Sequence, residues 1–125
     1  MVEEVRSNLR SRLSATVPYV CQISGKREEL VVISEENAIA VADLAPEFSD
    51  STDAMLAVSV LKTDLCICDL AILVGGKEDD VRQRLDRLVG KGVLNHRLID
   101  EMNYFSFNGA FANGRLVEKI ARLLK

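Results

Sequence analysis

The chain has 125 residues, 48% apolar and 28% charged, which suits one compact domain around one core. No apolar run is long enough to span a bilayer, and the charged start Met1-Val2-Glu3-Glu4-Val5-Arg6 lacks the apolar stretch of a signal peptide, so a cytoplasmic protein with no membrane partner is expected. The net charge of −3 gives no overall attraction to nucleic acid, and an odd set of thiols (Cys21, Cys66 and Cys68) argues against a disulfide framework.

Val5, Leu9 and Leu13 recur every four residues with Arg6, Arg10 and Arg12 between them, which predicts an amphipathic helix over about residues 2 to 15, ended by Pro18. Val17 to Ile23 and Leu30 to Ile33 are rich in β-branched residues and flank Ser24-Gly25-Lys26-Arg27, the pattern of a short hairpin. Ser34, followed by Glu35, Glu36 and Asn37, starts a helix that Ala38 to Leu44 continue up to Pro46. Asp50 or Ser51 caps the next helix, which carries Met55, Leu56, Val58 and Val60.

Asp64 is placed to cap a further helix that buries Leu65, Leu70, Ile72 and Leu73 and stops at Gly75-Gly76. Lys77 to Val89 then puts Val81, Leu85, Leu88 and Val89 on one face. Val93 to Arg97 and Asn103 to Phe107 read as two strands around Asp100-Glu101. Arg115 to Leu124 closes the chain with Leu116, Val117, Ile120, Leu123 and Leu124, an apolar face wide enough for a core and a partner.

The run Asp64-Leu65-Cys66-Ile67-Cys68-Asp69-Leu70 carries the most chemical information. Thiolates bind soft metal ions, and the N-terminus of a helix favours thiolate over thiol. Two residues apart on an ideal helix point about 200° from each other, so Cys66 and Cys68 meet one ion only if the first turn is loosened. Buried space-filling is the plain alternative for both, and for Cys21, beside Val20 and Ile23, it is the better account.

On the helix after Gly75-Gly76, Gln83 suits adenine, while Arg84 or Arg87 suits guanine or phosphate. Lys77, Arg82 and Lys91, with Arg97 on the following hairpin, complete the candidate DNA-contacting set. Glu78, Asp79 and Asp80 crowd the same helix start, where they suit the helix dipole and repel phosphate. No nucleophile–base arrangement or phosphate-cradling glycine loop appears, so an enzyme is not expected.

The cysteine run resembles the metal-binding box of the ArsR/SmtB family of metal-responsive winged-helix transcriptional repressors, Glu-Leu-Cys-Val-Cys-Asp-Leu in type. The similarity runs without a gap from Phe48-Ser49-Asp50-Ser51-Thr52, where that family has Leu-Ala-Asp-Pro-Thr, to Tyr104-Phe105-Ser106-Phe107, where it has Tyr-Tyr-x-Leu. The departures fall on Lys77, Asp79 and Arg84, where the family carries Ser or Thr, Ser and His. Asp100 stands in place of a wing-turn Gly, and Asp53 in place of a basic residue.

The resemblance implies a mostly α fold with a small β wing, a winged helix-turn-helix that pairs as a homodimer. The chain is expected to divide into residues 1–47, an N-terminal helix, possible hairpin and dimerisation region with no counterpart in the family, and residues 48–125, the winged helix-turn-helix with a C-terminal dimer helix. The resemblance implies a repressor that holds operator DNA when free of ion and releases it on thiolate ligation. Cys66 and Cys68 are then ligands, with Cys21 of a second subunit as the third. Three thiolates suit Cd(II), Pb(II) or As(III), and Zn(II) calls for a fourth ligand from Asp64 or His96. The family's second site, on its C-terminal helices, is expected to be absent, because Asn108 to Gly114 offers no His or Asp. Two other readings stay open: a winged-helix interaction module that no longer reads DNA, and a thiol redox switch on the same scaffold.

Overall fold

The structure is a computed structural model, and it describes residues 15–20, 25 and 27–124. Its elements in order are β1 (Ala15–Val20), β2 (Arg27–Val32), α1 (Glu35–Ala42), α2 (Ser51–Ser59), β3 (Leu65–Cys66), α3 (Ile67–Val74), α4 (Glu78–Gly90), β4 (Leu94–Ile99), β5 (Met102–Phe107), a 3₁₀ turn (Phe111–Gly114) and α5 (Arg115–Leu123). The expected helix before residue 15 lies outside the described residues, as does Cys21. Pro18 sits within β1 opposite Glu29, in a two-stranded antiparallel hairpin where every strand is an edge and a missing N–H is tolerated.

The helix starts follow local capping chemistry. Ser34 Oγ accepts from the Asn37 backbone N–H at 3.2 Å. Asp50 Oδ1 accepts from the N–H groups of Thr52 and Asp53 at 3.0 and 3.2 Å. α1 ends at Ala42 rather than Leu44, because the Leu44 N–H turns to the Val41 carbonyl in a tighter closing turn. Gly75 ends α3 in the left-handed conformation, φ 69°, which a glycine adopts without steric cost.

Around the cysteines the structure departs from the local reading. Asp64 does not cap α3. Leu65 and Cys66 are extended and pair with Phe105 and Tyr104 of β5, so the helix starts at Ile67 with Cys66 as its N-cap. Strand pairing with the wing, a tertiary interaction, overrides the capping propensity of Asp64. Ile72 is 63% exposed rather than buried. Ile67, Leu70 and Ala71 face the core, and a residue about 200° from Leu70 on a short helix must face outward.

The three-stranded antiparallel sheet has the order β3-β5-β4. Its hairpin turns at Asp100 and Glu101, both at positive φ (50° and 67°), the backbone that a two-residue hairpin turn of this hand requires. The sheet is fixed to the body by the Phe107 N–H on the Val60 carbonyl at 3.1 Å and by Asn108 Nδ2 on the Gly92 carbonyl at 2.8 Å. One apolar cluster joins Val41 of α1, Leu56 of α2, Leu70 of α3, Leu85 and Leu88 of α4, Phe105 of β5 and Ile120 of α5. The helix pair α3–α4 thus stands on α2, with the wing against its start. None of the helices among the described residues is long and apolar enough to cross a membrane.

Candidate functional site

Two chemical centres lie on the helix-turn-helix. The first is at the joint of β3 and α3. Cys66 has φ −80° and ψ 162°, so it stands outside the helical spiral, and the 200° divergence expected of two helical residues does not apply. The sulfurs of Cys66 and Cys68 are 3.0 Å apart, and the Cys66 thiol donates to Asp69 Oδ2 at 3.1 Å. One ligand atom from each of Cys66, Cys68 and Asp69 lies within 4.8 Å of the others. Both cysteines are free thiols.

Cys66 and Asp69 are buried and Cys68 is half-buried, so the cluster opens to solvent on the Cys68 side. Burial pushes the Cys66 thiol above its ordinary range, and its side-chain bonds to Cys68 and Asp69 push the same way, outweighing the Asp69 backbone N–H, which pulls it down. This reverses the sequence expectation of a thiol acidified by the helix dipole: the half-charge of a helix end is outweighed by desolvation and a neighbouring carboxylate. The donor set fits a borderline or soft divalent ion, because two sulfurs and one carboxylate oxygen converge within the span of a single coordination sphere. Asp69 was not among the candidate ligands read from the sequence; its i+3 spacing from Cys66 was the available signal.

The other proposed thiol partners are engaged elsewhere. Asp64 Oδ2 takes Arg97 Nη1 at 3.4 Å. His96, exposed on β4, meets Asn103 Oδ1 through Nε2 at 2.6 Å and lies 5.2 Å from the Phe105 ring.

The second centre joins α2 to α4. Asp53 is fully buried yet ionised. Arg84 Nη1 donates to its Oδ1 at 3.0 Å, and Arg87 Nη2 donates to its Oδ2 at 2.6 Å. Ser49 adds its backbone N–H at 2.8 Å and its hydroxyl at 2.7 Å. Burial alone would raise the Asp53 pKa. The Ser49 bonds and the two guanidinium groups outweigh it, so the carboxyl lies below its ordinary value. Arg84 also donates to Asp50 Oδ1 at 2.7 Å, and Arg87 to Ser49 Oγ at 2.7 Å.

The candidate DNA-contacting residues therefore divide. Arg84 and Arg87 are tied to α2. Lys91 Nζ approaches the Glu47 carbonyl at 3.4 Å, and Arg97 meets Asp64. Lys77, Arg82 and Gln83 are exposed on α4 or at its start, beside exposed Glu78, Asp79, Asp80 and Asp86. The buried centre at Asp53 was not legible in the sequence, where that residue stood out only as an acid in place of a base.

No family model matches the chain, and no curated protein matches it. Among solved structures the chain is similar to NolR from Sinorhizobium fredii, with 20% sequence identity and a TM-score of 0.53, over 71% of this chain and 84% of that one. At that identity the likeness concerns the fold alone, and the fold of this chain, helices with a three-stranded antiparallel wing, is a winged helix-turn-helix.

Proposed function

We propose that the chain is a DNA-binding transcriptional regulator, a homodimeric repressor whose hold on operator DNA responds to a soft metal or metalloid ion at Cys66, Cys68 and Asp69. The observation that carries this reading is the double position of Cys66. It is the last residue of a strand paired with the wing and the N-cap of the helix that precedes α4. A group that draws Cys66, Cys68 and Asp69 together acts on the wing and the helix-turn-helix at once. Such coupling requires the ion to favour the state that does not hold DNA.

The donor set ranks the candidate ions. A carboxylate beside two thiolates suits Zn(II) or Cd(II), with solvent or Cys21 of a second subunit completing the sphere. As(III) and Pb(II), which suit three thiolates, depend on that Cys21. The direct test is titration of the reduced protein with Cd(II), read as sulfur-to-metal charge-transfer absorption and as release from a DNA duplex of the chain's own upstream sequence. Cys66→Ser and Cys68→Ser each abolish both signals, and Asp69→Asn weakens them. Full absorption in the double serine variant places the ion elsewhere and ends the reading.

A second reading, an interaction module that no longer holds DNA, is favoured by the acidic outer face of α4. Glu78, Asp79, Asp80 and Asp86 are exposed there, while Arg84 and Arg87 are spent on Asp50 and Asp53. Absence of any DNA binding at low salt selects it.

A further inference from the structure

The bonds made by Arg84 differ in kind. The bond to Asp53 is to a carboxylate with no exposed surface, whose other oxygen is held by Arg87 and Ser49. The bond to Asp50 is to a carboxylate that is 46% exposed, and Arg84 itself is 29% exposed. An exposed ion pair in water is weak and exchangeable, whereas a desolvated one is costly to break. Both bonds come from the same guanidinium nitrogen, Nη1. The outer partner can thus change while the inner bond keeps Arg84 in place, and Arg87 keeps α2 tied to α4.

Beside the outer bond lies an open cavity of about 310 Å³, lined by Ser49, Asp50, Asp80, Gln83, Arg84 and Arg87. It has room for a phosphate group, and guanidinium pairs with phosphate in the same forked geometry as with carboxylate. It is on the flank of α4, next to Gln83.

We propose that Asp50 sets the affinity for DNA: its carboxylate stands on Arg84 where a backbone phosphate oxygen binds, and DNA displaces it. This rests on the DNA-binding reading above. Asp53 is the positioning residue, because its buried carboxylate holds Arg84 against the cavity in either state. The exchange replaces one charged partner by another, so the phosphate contact adds less affinity than a free arginine would provide.

The test is a double-mutant cycle on DNA affinity in the full chain. The contact is with the backbone, so a short duplex of mixed sequence at low salt serves as the probe. Asp50→Asn removes the charge and keeps a residue that caps α2 equally well. It tightens binding about fivefold, the ratio expected from loss of an exposed ion pair. In an Arg84→Gln background that gain disappears. Asp80→Asn is the control: Asp80 lines the same cavity and makes no bond to Arg84, so any gain from lost repulsion survives in the Arg84→Gln background.

A gain from Asp50→Asn that persists without Arg84 makes Asp50 a distant repelling charge and overturns the proposal, as does no gain at all. Thermal melts of each variant verify that it is folded. Failure of every variant to bind, the wild-type chain included, overturns the DNA-binding reading itself and the proposal with it. Binding without coupling overturns the proposal alone.

Discussion

Asp53→Asn tests the centre on which the placement of α4 depends. The substitution keeps the shape of the side chain and removes its charge. The wild-type carboxylate accepts four hydrogen bonds, from the Ser49 N–H, the Ser49 hydroxyl, Arg84 and Arg87. An Asn amide presents one oxygen: placed where Oδ2 stands it keeps the Ser49 and Arg87 bonds and turns its nitrogen on the Arg84 donor, so the Arg84 bond is lost and two donors face each other at a site with no access to water. Removing one member of a fully buried charge pair costs about 3–5 kcal/mol. Here the arginines keep partial exposure (29% and 39%), and Arg84 retains Asp50, which brings the expectation down to about 2–4 kcal/mol. For a domain of this size each kcal/mol lowers the melting temperature by about 4 °C, so Asp53→Asn melts roughly 8–16 °C below wild type at neutral pH. The pH dependence supplies a second check. The Asp53 pKa is lowered in the fold, so its contribution is fully present above the unfolded value near 3.8 and is lost as pH falls through the folded value. The gap between the two proteins, followed by calorimetry, therefore narrows only below about pH 4. A variant that melts within a degree or two of wild type at pH 7 refutes the assignment of Asp53 as a structural charge.

Affinity for Cd(II) rises with pH, because ligation removes protons from thiols and the Cys66 thiol sits above its ordinary range. Calorimetric titration in two buffers of different ionisation enthalpy reads the released protons, and release of none contradicts thiolate ligation. Asp79→Ser with Asp80→Ser strengthens DNA binding by removing exposed carboxylates from the start of α4, and the affinity of the variant still falls steeply with salt in a filter or fluorescence assay. A variant that binds no better than wild type places the start of α4 away from the phosphates. Val117 and Leu123 of α5 and Leu124 at its end remain partly exposed, and the chain is expected to be a homodimer at micromolar concentration. Sedimentation as a monomer removes the homodimeric repressor proposed above.

Where residues act on their immediate neighbours, the sequence determined the outcome. Ser34 and Asp50 cap the helices they precede, Gly75 ends α3, and the Val81/Leu85/Leu88 stripe buries one face of α4. Each follows from a hydrogen bond, a backbone preference or a periodicity contained within a few residues. Tertiary structure decided what depends on contacts distant in the chain. Pairing of Leu65 and Cys66 with the wing fixed the start of α3, displaced Asp64 from its capping role and brought the two sulfurs together, which helical geometry alone forbids. Packing against α2 likewise decided what Arg84 and Arg87 do. In the sequence Asp53 and Arg84 are two separate departures from a family pattern, 31 positions apart. In the fold they are two halves of one ion pair, because a carboxylate without access to water must be met by opposite charge, and α4 is the element that passes beside it.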